Sequence, residues 1–205
     1  MHIAIQGSRQ PLGLTTYFIS TETPSTRELA ALWDNILRQG GKPDVMSALK
    51  IIEPSLVNIE FLTGELVDRN GGNTGGVLVE FGDPIVRVPL GSLGDGMRRL
   101  LVLAIALANS KGGALFIDEI DTGLHYSVLG RMWKLVAEAA AKFDIQVFAT
   151  THSADCVRGL EMFGRVTPEA RNDIAILKLV QGHDRAISLT GEEAVDALEL
   201  GIEVR

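Results

Sequence analysis

Four short clusters, in chain order, hold the residue types that could do chemistry. The first, SLGDGMRR at residues 92–99, sets Ser92, Gly94, Asp95 and Gly96 just ahead of a helical stretch. Backbone without side chains can approach a ligand closely, and the free N–H groups and positive dipole end of a helix favour an anion such as a phosphate. The same residues also read as a tight turn and a helix cap. The second, ALFIDE at residues 114–119, is an apolar run that ends abruptly in Asp118 and Glu119. A carboxylate at a strand end can hold Mg²⁺ directly or through water, and its neighbour can orient or deprotonate an attacking water. A strand that runs out into a solvated acidic turn is the plainer alternative. The third, Asp121-Thr122-Gly123-Leu124-His125, adds an acid and a histidine in a turn, where Asp121 reads equally as a turn residue or helix cap. The fourth, Thr150-Thr151-His152-Ser153, closes the next apolar run, so His152 would emerge beside Asp118 and Glu119. An isolated histidine at a strand end is otherwise structural.

These clusters need strands and helices in strict alternation to hold them. From residue 89 onward the pattern supplies this: a glycine-rich turn at 91–96, a helix over 95–109, a buried strand at 114–118, a helix at 127–142, a strand at 145–150 and a shorter helix from Ser153. That order predicts parallel strands joined by crossover helices, with ligands gathered at the strand ends. A strand pair at 174–180 and 186–189 follows, then a helix opened by Thr190 with Glu193 three residues on, a capping box. Before residue 89 the pattern is mixed. It holds a strand at 15–20, a helix at 25–39 stopped by Gly40-Gly41, and a second helix beyond Pro43 carrying Val45, Met46, Leu49 and Ile52. Strands follow at 56–62, 77–81 and 85–88, with the turn-rich RNGGNTGG at 69–76 between the first two. The reading is therefore an α/β chain with a mainly parallel sheet flanked by helices, divided into an accessory region, 1–88, and a lobe bearing the four clusters, 89–205.

Composition narrows the classes. In 205 residues, 46% are apolar and the formal net charge is −7, which predicts a soluble globular chain and argues against a nucleic-acid binder driven by a basic surface. The single Cys156 excludes an internal disulfide and a cysteine-based zinc site, so a reducing compartment, the cytoplasm, is expected. The first ten residues, MHIAIQGSRQ, do not read as a secretory signal. The longest apolar run, residues 100–108, is about half of the ~20 residues that a membrane span requires.

The order S-x-G-x-G-x-R, an apolar run ending in Asp-Glu, a DTGLH turn and TTHS resembles the C-terminal half of an ABC-type ATPase. The likeness is to the branch of SMC-like, RecF-like and OLD-like proteins, and within it to bacterial AAA-type ATP-binding proteins tied to phage defence or toxin–antitoxin-like systems. It is strong over residues 89–158 and weak before them. The resemblance implies a P-loop NTPase-like fold with ATP and Mg²⁺ as cofactors. It makes Ser92, Gly94, Asp95 and Gly96 the signature loop that contacts the γ-phosphate of ATP held by a partner subunit. Asp118 becomes the Walker B aspartate on Mg²⁺, Glu119 the glutamate that positions water, and His152 the switch histidine. Asp121 through His125 match the D-loop across a dimer interface. Asp95 and the Leu93 spacer depart from the transporter pattern and point to the SMC-like and OLD-like branch.

One element of that family is missing. No segment spells the phosphate-cradling G-x-x-x-x-G-K-[ST]. Gly41-Lys42 is followed by Pro43, and Ile36 stands in the place of the first glycine. The chain thus reads as the second half of an ATPase, whether fragment, split gene product or truncation, that hydrolyses ATP when a Walker A lobe is supplied. A homodimer or such a lobe is the expected partner, a toxin- or nuclease-type effector a further candidate, and a membrane is not. The alternative is an inactive remnant that serves as an interaction module. A metal-dependent hydrolase or nuclease with Asp118, Glu119, Asp121, His125 and His152 as ligands is disfavoured, since most of these crowd one turn and the glycine turn would go unexplained. Trp33 and Trp133 read as core or interface and Cys156 as a small buried hydrophobe; Arg98 and Arg99 could reach a phosphate or DNA, but a solvated face or a salt bridge between subunits is favoured.

Overall fold

A computed structural model of the chain describes residues 2–5, 15–62, 76–82, 84–180, 182 and 184–199. The chain begins with β1 (His2–Ile5) and β2 (Thr16–Ile19). Ser25 then opens α1 (Thr26–Arg38) through a capping box with Glu28, and Gly40 leaves the helix at φ +69°. Next come α2 (Lys42–Lys50), with Pro43 in its first turn, and the strands β3 (Leu56–Leu62), β4 (Gly76–Phe81) and β5 (Val86–Pro89). A 3₁₀ turn, Leu90–Leu93, leads into α3 (Gly94–Asn109), then β6 (Ala114–Ile117), a second 3₁₀ turn, Tyr126–Val128, and α4 (Leu129–Phe143). The chain goes on through β7 (Gln146–Thr150), α5 (Ala154–Val166), a 3₁₀ segment Pro168–Asp173, β8 (Ile174–Lys178), β9 (Ile187–Thr190) and α6 (Gly191–Glu199).

The strands form two sheets. The larger runs β2-β6-β7-β1-β8-β9, with β2, β6 and β7 mutually parallel. Because β1 is antiparallel to both β7 and β8, β8 points the same way as β7, and four of the six strands share one direction. The expected α/β class with a mainly parallel, helix-flanked sheet is what the chain adopts. The smaller sheet is the antiparallel meander β3-β4-β5. Except for Gly76, the segment 69–76 lies outside the described residues.

The apolar run at 100–108 is explained by the place of α3. Every residue from Arg99 to Asn109 is buried, and the helix packs against α1, α2, α4 and β2. A helix enclosed on all sides has to be apolar all round, without being a membrane span. None of the described helices is long and apolar enough to cross a membrane. β2 and the helices α1 and α2 thus share their core with the later segment. Trp33 and Trp133 are buried, as expected; Trp33 stacks on Phe61 at 5.2 Å, and Trp133 Nε1 donates to the Cys156 carbonyl at 2.9 Å.

The larger sheet is covered unequally. Ile19, Leu115, Ile117, Val147 and Ala149 are buried. On the opposite face Phe18, Phe116 and Phe148 stand in one register row across β2, β6 and β7. Phe116 and Phe148 stack at 4.9 Å, while Phe18 is 67% exposed and Phe116 37%.

Candidate functional site

The parallel arrangement brings the C-terminal ends of β2, β6 and β7 together, and three of the four clusters meet there. Asp118 follows β6, its N–H donating to the Ile19 carbonyl at 2.8 Å. Thr150, the last residue of β7, donates its hydroxyl to Asp118 Oδ1 at 2.7 Å and accepts the Glu119 N–H at 2.9 Å. Its carbonyl accepts the Ile120 N–H at 3.0 Å, so the two strand ends are joined by backbone and side chain alike.

Glu119 has φ +45°, a left-handed conformation that costs a residue with a Cβ roughly 1–2 kcal/mol unless its surroundings impose it. The turn aims the carboxylate across to the next strand end. Oε2 accepts the His152 backbone N–H at 3.3 Å, and Oε1 lies 3.3 Å from His152 Nε2. The Glu119 side chain is 26% exposed and that of His152 86%, so the pair opens to solvent. Thr151, buried, donates to Asp121 Oδ1 at 2.5 Å, and Ser153 caps α5 by accepting the Cys156 N–H at 3.2 Å.

The first and third clusters touch each other. Gly96 lies so close to the turn that a Cβ there would sit 3.2 Å from the Gly123 carbonyl, and Gly123 itself has φ +76° with Asp95 Cβ beside it. Gly94 joins the 3₁₀ turn to α3 at φ +80°, and α3 starts at this glycine, inside the expected turn. Asp95 lies in the first turn of α3 and is exposed. Ser92 is also exposed, its hydroxyl donating to the Pro89 carbonyl at 2.7 Å. His125 turns to its own segment: Nδ1 accepts the Ser127 N–H, and the ring lies 4.3 Å from that of Tyr126.

Arg99 corrects the sequence reading. Arg99 is 5% exposed and forms no solvated face, while Arg98 is half-buried and donates to the Pro24 carbonyl at 2.9 Å. The Arg99 guanidinium donates to the carbonyls of Ser20 (2.8 Å), Asp118 (2.9 Å) and Glu119 (3.1 Å). Burial holds its pKa below the ordinary value, with the charges of Asp118 and Asp121 opposing this in part. The signal available in the sequence was its position, a cation directly before a long apolar helix run.

Among the described residues no cluster of three or more His, Cys, Asp or Glu is placed to hold a metal ion. This removes the five-ligand hydrolase reading. Thr150 engages one oxygen of Asp118, which leaves Oδ2 without a hydrogen-bond donor among the described residues. A lone, oriented carboxylate fits Mg²⁺, which takes one or two carboxylates and fills its remaining sites with water and phosphate oxygens.

An acidic pair at the end of one parallel strand, a threonine–histidine pair at the end of the next and a glycine-rich helix start beside them thus lie together at one end of a sheet with a P-loop NTPase-like fold. The chain belongs to the family described as "AAA domain, putative AbiEii toxin, Type IV TA system", whose model matches residues 26–155. An ATP/GTP phosphatase of Helicobacter pylori (strain ATCC 700392 / 26695) is 31% identical over 78 residues, 37% of this chain. The chain spans about a fifth, 21%, of that protein's length. Among solved structures, one from work on the ATP-driven dimerisation and DNA-stimulated activation of SMC ATPases is similar at a TM-score of 0.51 and 14% identity, covering 88% of this chain and 96% of that one. An SmcHead bound to the C-winged helix domain of ScpA has a TM-score of 0.46 and 18% identity, over 83% of this chain and 45% of that one.

Proposed function

We propose that this chain hydrolyses ATP with Mg²⁺ at an interface between two copies, once a lobe bearing the phosphate-cradling loop is supplied. The observation that carries the reading is the Asp118–Thr150–Glu119–His152 array, in which four side chains from two adjacent strand ends are held in register. Asp118 would hold Mg²⁺, which supplies charge neutralisation on the transferred phosphoryl group. Glu119 would orient the attacking water, its carboxylate already fixed toward His152 and open to solvent. His152 would contact the γ-phosphate. Phosphoryl transfer depends mainly on positioning and electrostatic stabilisation, so the hydrogen bonds that orient these strand ends would themselves be the contribution to catalysis. Ser92, Gly94, Asp95 and Gly96 would meet the γ-phosphate bound by the opposite copy, with Asp121 and His125 along the same interface.

The Phe18–Phe116–Phe148 row supports the need for a supplied lobe, since Phe18 and Phe116, exposed side by side on one sheet face, are poorly suited to permanent contact with water. The same row also favours the second reading, a docking module without turnover. Phosphate release by the full chain, alone and joined to a Walker A lobe, separates the two. Activity in the joined form that Glu119→Gln abolishes supports hydrolysis; binding of the lobe without turnover leaves the docking module.

A further inference from the structure

We propose that Arg99 is a positioning residue, whose guanidinium holds the Asp118–Glu119 backbone so that the Glu119 carboxylate stays aimed at His152. The proposal rests on the functional reading above for the role of Glu119, and on the structure for the rest.

The peptide groups around Glu119 are gripped from two sides. Thr150 takes the N–H, and Arg99 takes the carbonyls of residues 118 and 119 through one nitrogen, Nη2. Its other terminal nitrogen, Nη1, ties the same group to Ser20, the residue after β2. A planar fork that spans the ends of β2 and β6 fixes both position and orientation, which a compact ammonium cannot do equally well. Such a grip accounts for a non-glycine residue at φ +45°, since that conformation persists where its surroundings over-determine it. Burying a guanidinium is costly, and here the cost is met by three carbonyls rather than by a contacting carboxylate, an arrangement suited to setting backbone geometry. Arg99 also belongs to α3, whose first turn carries Gly94, Asp95 and Gly96, so a single rigid helix links the proposed signature loop to the turn of the acidic pair.

The test compares the full chain with Arg99→Lys and Arg99→Met. In the free chain, amide exchange at Glu119 is expected to accelerate roughly tenfold in Arg99→Lys and further in Arg99→Met, while the amides of residues 103–107 in the middle of α3 keep their parent rates. In the joined, ATP-hydrolysing form, kcat should fall by about tenfold or more with KM for MgATP unchanged, because a displacement of about 1 Å costs on the order of 10²-fold. Unchanged Glu119 exchange in Arg99→Lys overturns the proposal, as does a uniform rise in exchange across α3, which marks a purely structural role. If Arg99→Met fails to fold, Arg99→Lys decides. Should the joined parent show no hydrolysis, the functional reading falls while the exchange measurement still decides the role of Arg99 in holding the turn.

Discussion

The Thr150 hydroxyl donates to Asp118 Oδ1 at 2.7 Å while accepting the Glu119 N–H at 2.9 Å, so one side chain sets the direction of the first carboxylate and the backbone of the second. Thr150→Val keeps the shape and removes both bonds. It is expected to destabilise the chain by about 1–3 kcal/mol, the cost of leaving partly buried groups without partners, and to slow phosphate release in the joined form by about tenfold or more. Thr150→Ser should recover most of both. Urea unfolding and phosphate release measured side by side check this; a Thr150→Val protein of parent stability and rate would show the hydroxyl to be dispensable.

His152 allows the opposite separation. Its side chain is 86% exposed and, among the described residues, pairs with Glu119 alone, so His152→Ala should change stability by no more than about 0.5 kcal/mol. If it contacts the γ-phosphate, phosphate release in the joined form should fall by about 10²-fold. Thermal unfolding and turnover of the same preparation test both halves, and a large stability loss would assign His152 to structure instead.

Most of this architecture was legible in the sequence because local signals agreed with it. Thr190 with Glu193 announced a helix start through a capping box that the chain forms, and the apolar spacing over 25–39, stopped by Gly40-Gly41, announced another. The apolar runs ending at Asp118 and Thr150 gave two buried strands, and the helical stretch between them left only a parallel crossover. Pairings between distant segments were not legible. Nothing in HIAI says that β1 lies between β7 and β8, since a four-residue apolar strand fits any neighbour of similar length. Arg99 was misread for a related reason: its partners are main-chain carbonyls 19, 20 and 79 positions away, which leave no trace in residue type. The face carrying Phe18, Phe116 and Phe148 was also hidden, because alternation marks two faces of a strand without telling which one a helix covers.

Cys156 gives a pH dependence of known sign. Burial, with the charge of Asp121 behind it, pushes the thiol from its ordinary 9.0 up to about 12. In the unfolded chain the thiol ionises near its ordinary value, so between pH 9 and about pH 12 the folded state binds more protons than the unfolded one. Stability then falls as pH rises, by up to about 1.4 kcal/mol per pH unit, and this contribution is fully present below pH 9. Urea unfolding from pH 8 to 11 should show the loss, and Cys156→Ala should flatten the part of the slope that the thiol causes. An unchanged slope in that variant would place the alkaline sensitivity elsewhere.

Gly96 and Gly123 test whether the glycine-rich helix start and the acidic turn act as one unit. Gly123 has φ +76°, so Gly123→Ala should cost about 1–2 kcal/mol from backbone strain. In Gly96→Ala the new methyl would lie 3.2 Å from the Gly123 carbonyl, and the turn must give way by a few tenths of an ångström. The two substitutions act on neighbouring contacts between the same two segments, Gly96 against the Gly123 carbonyl and Gly123 against Asp95, so their effects should not add: a double-mutant cycle is expected to show a coupling of about 0.5 kcal/mol or more. Urea unfolding of the parent, both single variants and the double variant measures it directly. Additivity within about 0.3 kcal/mol would mean that the loop at 92–96 moves independently of the turn at 121–125, and that a signal between them must pass through Arg99 and the body of α3 instead.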